Sequence, residues 1–163
     1  MNKTDKEILS ILSGDSRITA DRIASALGIG EDEVLKRVRD LEEKGIIVKY
    51  TTIINDDSVE EVAVEALIEV KVTPQRGHGF DMIAEEIAAH SEVQNLYLMS
   101  GAYDLAVIVK SKSLREVSRF VSEKISTYDS VISTATHFIL KKYKVEGAVL
   151  NDPDDGKRLK VQA

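Results

Sequence analysis

Through the first fifty positions apolar residues recur three and four apart, whereas from position 62 to 72 they fall at every second position. The first rhythm belongs to helices with one buried stripe, the second to strands with one buried face. Thr4-Asp5-Lys6-Glu7 has the form of a capping box, in which a hydroxyl and a carboxylate three residues apart satisfy free backbone amides. Ile8, Leu9, Ile11 and Leu12 follow as an apolar stripe that Gly14-Asp15 ends. Thr19 is the cap candidate of a short second helix carrying Ile23, Ala24 and Leu27, interrupted by Gly28-Ile29-Gly30. A third helix is predicted from Glu31 to Lys44, with Val34, Leu35, Val38 and Leu41 at helical spacing and Gly45 as its stop.

Three short helices, the last two separated by a three-residue glycine-containing turn, make a helix-turn-helix pattern. In that geometry the third helix enters the major groove of DNA. Its apolar residues pack inward and leave Glu33, Lys36, Arg37 and Asp40 on other faces, with Arg39 nearby. The run from Ile46 to Ile53 is β-type and is expected to form a wing or the start of a linker strand.

In the second half, Val62, Val64, Ala66, Ile68, Val70 and Val72 alternate with Ala63, Glu65, Leu67, Glu69 and Lys71, which predicts a strand. A loop from Pro74 to Gly79 leads to a helix marked by Phe80, Ile83, Ala84 and Ile87. Val93–Ser100 and Asp104–Lys110 are predicted strands around a tight Gly101-Ala102-Tyr103 connection. Ser113-Leu114-Arg115-Glu116 is a second capping-box pattern, and Val131–Leu140 a last strand. The order β-α-β-β-α-β is the ferredoxin-like split arrangement, so the predicted class is α+β, a winged helix-turn-helix followed by a ferredoxin-like βαββαβ domain. The expected boundaries are 1–50 for the first domain, 51–60 for a linker, 61–145 for the second and 146–163 for a polar tail. Helices cover one sheet face; the other carries Leu67, Tyr97, Met99, Ala106 and Ile108, for which a second subunit is the natural cover.

Composition narrows the function classes. The absence of cysteine excludes a disulfide framework, a thiolate zinc site and a cysteine nucleophile. His78, His90 and His137 are dispersed over a loop, a helix end and a strand, without zinc-site spacing, so no metal and no cofactor is expected. No Ser/His/Asp order or phosphate loop accompanies them, and no catalytic residue is assigned. The formal net charge of −6 is unusual for a nucleic-acid binder. It is concentrated in the second half: the first 55 residues hold nine Lys/Arg against ten Asp/Glu, the rest 13 against 18. The opening segment MNKTDKEILS lacks a signal-peptide core and no stretch reaches the ~20 apolar residues of a membrane helix, so a cytoplasmic location is expected.

The residues resemble the leucine-responsive/asparagine-synthase regulators, the Lrp/AsnC family. Thr4-Asp5-Lys6-Glu7-Ile8-Leu9 is similar to the family's helix-turn-helix entry, lacking only a leading Leu, and Val34 to Ile47 is similar to its Val-x-x-Arg-Val-x-x-Leu-Glu-x-x-Gly-Ile-Ile run. Ser100-Gly101-Ala102-Tyr103-Asp104 matches its Ser/Thr-Gly-x-Tyr/Phe-Asp loop, and Thr136 a Thr near the last strand. Where the family usually has Ser at the cap of the recognition helix, this chain has Gly30, followed by three acids. The resemblance implies double-stranded DNA as partner, contacted by Lys36, Arg37, Arg39 and Glu33. Arg37 paired with a carboxylate such as Glu33 or Asp40 is the alternative. It also implies a small-molecule effector, often an amino acid, at Ser100, Gly101, Ala102, Tyr103, Asp104, Thr134 and Thr136. A homodimer that associates into a tetramer or octamer is likewise implied. Two other functions remain open to this architecture: an enzyme like the haem-pathway decarboxylases, and an amino-acid-sensing module without DNA binding.

Overall fold

Three helices lead the chain: α1 (Lys3–Gly14), α2 (Ala20–Leu27) and α3 (Glu31–Glu43). A four-stranded sheet with two helices follows, as β1 (Val64–Val72), α4 (Asp81–Ala88), β2 (Val93–Leu98), β3 (Leu105–Ser111), α5 (Leu114–Glu123) and β4 (Val131–Phe138). A two-stranded hairpin, β5 (Lys144–Val145) and β6 (Ala148–Val149), comes last. This computed structural model describes residues 1–56, 59, 63–74, 77 and 79–150. The chain forms two compact units, Met1–Ile53 and Ile54–Ala163.

The first unit closes around Ile8 of α1, Ile23 and Ala24 of α2, and Val34 and Leu41 of α3, all buried. Ile8 and Val34 are wholly inaccessible, and fully burying one such aliphatic side chain contributes about 1.5–3 kcal/mol. Leu35, expected in the stripe, is instead exposed. It lies one residue, about 100° of helix, from Val34, and the inward positions are filled by Val34, Val38 and Leu41. The cap of α1 is also displaced from the Thr4–Glu7 expectation. Asn2 Oδ1 accepts from the Asp5 amide at 2.8 Å, and Asp5 Oδ2 accepts from the Asn2 amide at 2.9 Å. An Asn-x-x-Asp pair performs the same reciprocal bonding two residues earlier. Thr19 stands at the start of α2 without capping it by its side chain. The β-type run from Ile46 to Ile53 forms no strand. β-branched residues favour a pleated surface only where a neighbouring strand supplies one, and the three-helix unit has none.

In the second unit the strands are all antiparallel in the order β2-β3-β1-β4, the ferredoxin-like arrangement. Ala66, Ile68 and Val70 of β1 and Leu105, Val107 and Val109 of β3 pack on Ile83 and Ile87 of α4 and Val117 and Phe120 of α5. Val62, predicted to begin β1, lies outside the described residues, as do His78 and the tail beyond Leu150. The hairpin between β2 and β3 is longer than the tight turn predicted, with Met99 to Asp104 as its connection. Ser113 caps α5 through the Glu116 amide, but the Glu116 carboxylate turns to the Lys112 amide and the Ser111 hydroxyl instead of completing a box. The boundary expected at residue 146, between the second domain and a polar tail, falls inside the β5–β6 hairpin. Glu146 and Gly147, both at positive φ (47° and 83°), make the two-residue turn whose twist suits paired strands.

Candidate functional site

The first candidate site is the outer surface of α3. Gly28, left-handed at φ 67°, ends α2, and the Ile29 amide still donates to the Ala24 carbonyl at 3.1 Å. The chain thereby reverses in three residues to Gly30, which precedes α3 without a side-chain cap. Burial of Val34 and Leu41 then fixes which face of α3 turns outward. That face carries Glu31, Asp32, Leu35, Lys36 and Arg39, all exposed or half-buried. Lys36 and Arg39 take part in no ion pair among the described residues.

Arg37 is placed differently. Its Nε and Nη2 donate to Glu33 Oε1 at 2.9 and 2.6 Å, and its Nη1 donates to Asp5 Oδ1 at 2.9 Å. Glu33 first, then Asp5, raises the guanidinium's affinity for its proton. The Asn2 amide, and after it Arg37, holds the Asp5 carboxyl below the ordinary carboxylate range. The Glu33 pairing was one of the alternatives open in the sequence; the Asp5 pairing was not visible there. Asp5 and Arg37 are 32 positions apart, and only the packing of α1 on α3 brings them together. Glu33, read as a DNA contact, spends its carboxylate within the protein.

The second candidate site is the β2–β3 connection. Asp104 Oδ2 accepts from the Val72 amide at 2.9 Å, the Asp104 amide donates to the Val70 carbonyl at 3.1 Å, and the Met99 amide donates to the Asp104 carbonyl at 2.7 Å. Asp104 thus closes the end of β1. Ser100, Gly101 and Ala102 are exposed, Tyr103 half-buried. Val70 pairs with Leu105 on one side and Thr134 on the other, while Thr136 lies opposite Ile68. Thr134 therefore sits at the same end of the sheet as the loop, about 10 Å away across β1 at ordinary strand spacing. Thr134 and Thr136 share the face of Ile68 and Val70, the face the helices cover.

On the opposite face, Leu67 and Ile108 are half-buried and Tyr97 and Met99 exposed. Ala106 is buried between Glu69 and Tyr97 in register, where a methyl group is shorter than both neighbours. Glu69 Oε1 lies 3.3 Å from His137 Nε2 on this face.

Two cavities lie at the other end of the sheet. One of about 440 Å³ is lined by Asp56, Glu65, Leu114, Phe138 and Lys142, the other of about 720 Å³ by Asp56, Glu92, Lys110 and Glu116. Between them Asp56 receives Lys110 at 3.1 Å and Lys142 at 3.0 Å, and Lys142 also pairs with Glu65. No three His, Asp or Glu side chains among the described residues could hold a metal ion, and no helix among them is long and apolar enough to cross a membrane.

Residues 1–48 match a winged helix-turn-helix DNA-binding family, and residues 65–149 match the Lrp/AsnC ligand binding domain. A helix-turn-helix followed by a ligand-binding ferredoxin-like sheet defines a transcriptional regulator rather than an enzyme. The chain belongs to the Lrp/AsnC family. An uncharacterized HTH-type transcriptional regulator of Bacillus subtilis, YugG, is 47% identical over 162 residues, 99% of this chain and 98% of that protein. The HTH-type transcriptional regulator LrpA of Pyrococcus horikoshii is 34% identical over 144 residues, 88% of this chain and 99% of that protein. The fold is shared with a Neisseria meningitidis transcriptional regulator crystallised with L-methionine (TM-score 0.69, 22% identity, 96% of this chain and 99% of that one). It is shared as well with Escherichia coli AsnC (TM-score 0.67, 20% identity, 89% of this chain and 95% of that one).

Proposed function

We propose that this regulator binds double-stranded DNA through the outer face of α3, as a homodimer in the cytoplasm, and that a free amino acid tunes it from the β2–β3 connection. The observation that carries the DNA reading is the pairing pattern on α3: Lys36 and Arg39 point outward without carboxylate partners among the described residues, next to an exposed Leu35. Such cations release counterions from phosphates or read guanine, and an apolar neighbour suits a thymine methyl group. The acids Glu31 and Asp32 at the start of the helix oppose close approach of phosphate there, which favours contact from the middle of the helix. Replacing Lys36 and Arg39 together with Ala should abolish binding to a duplex that the wild type selects from a random pool. It should also shallow the log K against log[salt] slope by about 0.9 for each phosphate left unneutralised. Unchanged affinity in a folded double variant would refute the assignment.

For the effector, the anion that an ammonium needs is Asp104. Its Oδ2 serves Val72, but a carboxylate has room for further donors. The hydroxyls of Ser100, Thr134 and Thr136, the Gly101 backbone and the Ala102–Tyr103 segment are the other candidate contacts. The amino acid seen with the Neisseria regulator supports this chemistry for the fold. A thermal-shift screen of the standard amino acids tests it, since a ligand that binds only the folded state must raise stability.

A further inference from the structure

Arg37 lies on the helix proposed to enter the groove, yet its guanidinium is turned onto its own unit. Three of its five N–H donors are taken by Glu33 and Asp5. Asp5 is engaged at both oxygens: Oδ1 holds Arg37, and Oδ2 holds the Asn2 amide that begins α1. One carboxylate therefore closes the first turn of α1 and reaches across to α3. The side chains are only 17% (Asp5) and 25% (Arg37) exposed, so water screens the pair less than it would on an open surface. One cation between two carboxylates leaves a net charge of −1 facing any approaching phosphate. The two donors left, one on each Nη, do not form a free fork: bidentate contact with DNA by the Nε edge would require Arg37 to break charge-assisted bonds that it already makes.

We propose that Arg37 is a positioning residue: through Asp5 and Glu33 it latches the start of α1 to α3, and so sets the angle at which α3 presents Lys36 and Arg39, without itself touching DNA. The inference rests on α3 being the DNA-reading helix. It makes an opposite prediction to simple charge counting at Asp5. Removing a negative charge from a protein that binds a polyanion should tighten binding, whereas removing half of a latch should weaken recognition of the selected sequence.

The test uses the full chain, a duplex selected from a random pool by the wild type, and a scrambled duplex of equal length. Asp5→Ala and Arg37→Ala should each weaken binding to the selected duplex about tenfold, the effect of removing one charge-assisted hydrogen bond. The double variant should be no weaker than Arg37→Ala alone, because the two act through one pairing. Arg37→Ala should leave the salt slope as in the wild type, and Asp5→Ala should not weaken binding to the scrambled duplex, which reports charge and not docking angle. Asn2→Ala, which removes the side-chain cap and spares the latch, should bind as the wild type does. Should Arg37→Ala unfold, Arg37→Lys keeps the charge but loses the fork, and must still lose selected binding. The latch is overturned if Arg37→Ala shallows the slope by about 0.9, if Asp5→Ala tightens the selected complex, or if Arg37→Lys is silent. A wild type that selects no duplex refutes the DNA reading of α3 itself, an outcome distinct from these.

Discussion

Asp104 separates two roles that one carboxylate is asked to play. Its hydrogen bond to the Val72 amide is a matter of geometry, and an amide oxygen can accept it equally. An ammonium, in contrast, needs the charge. Asp104→Asn should therefore keep its melting temperature within about a degree or two while its effector-induced thermal shift at a given effector concentration shrinks. The expected loss of effector affinity is about tenfold or more, as for a charge-assisted bond of roughly 1.5–3 kcal/mol. An effector response like the wild type's would leave Asp104 as a turn residue alone. At this scale the sequence displayed residue types faithfully and partners poorly. Arg37 and Glu33 are one helical turn apart, so their pairing was legible as an alternative. Asp5 was not, because a contact across 32 positions is created by the packing of α1 on α3. Leu35 was misplaced for a related reason: several apolar residues in a helix compete for one inward face, and only tertiary packing decides which is left outside.

Periodic helices and alternating strands were legible as elements because burial of one face imposes those rhythms. Caps and connections were less so, since an Asn-x-x-Asp box serves as well as the Thr-x-x-Glu pattern and a β-branched run without a partner strand stays irregular. Asn2→Ala should lower the stability of the first unit by about 1 kcal/mol, whereas Thr4→Ala should leave its cap intact. Chemical denaturation of the two variants distinguishes them. In the second unit Asp56 ties the approach to β1 to Lys110 of β3 and to Lys142 beyond β4. Lys142, more than Lys110, lowers the Asp56 pKa. A carboxyl whose folded pKa is depressed contributes stability that is present above its unfolded value, about 3.9, and is lost as the pH falls through the folded value. Thermal stability should accordingly hold from neutrality down to about pH 5 and decline below about pH 4. Asp56→Asn should reduce stability at pH 7 and flatten part of that decline; a variant whose pH profile overlays the wild type's would show that the cluster contributes nothing.

For the molecule as a whole, the open sheet face argues for assembly. Tyr97, Met99, Leu67 and Ile108 lie along one surface, and monomers seldom expose a contiguous apolar patch beyond several hundred Å². Two such faces meeting across a two-fold axis would cover both. Light scattering at low micromolar concentration should give at least twice the mass of one chain, and Tyr97→Glu should lower it; a monomeric wild type would refute the face as an interface. The strand order has a different consequence, for the time course of synthesis. β1 is central in the sheet, yet Ala66 waits for Phe138, 72 positions later (138 − 66), before its last neighbour exists. The helical unit, made first, draws its contacts from within some fifty residues and can close early, as chains of low contact order do. For the interval in between, a nascent chain carries a folded head and a valine-rich strand that β3 can pair on one edge but whose other edge stays open until β4 is made. That interval, and not the finished protein, is where aggregation and chaperone capture would strike, and any mutation that slows the arrival of β4 would surface first as lost yield.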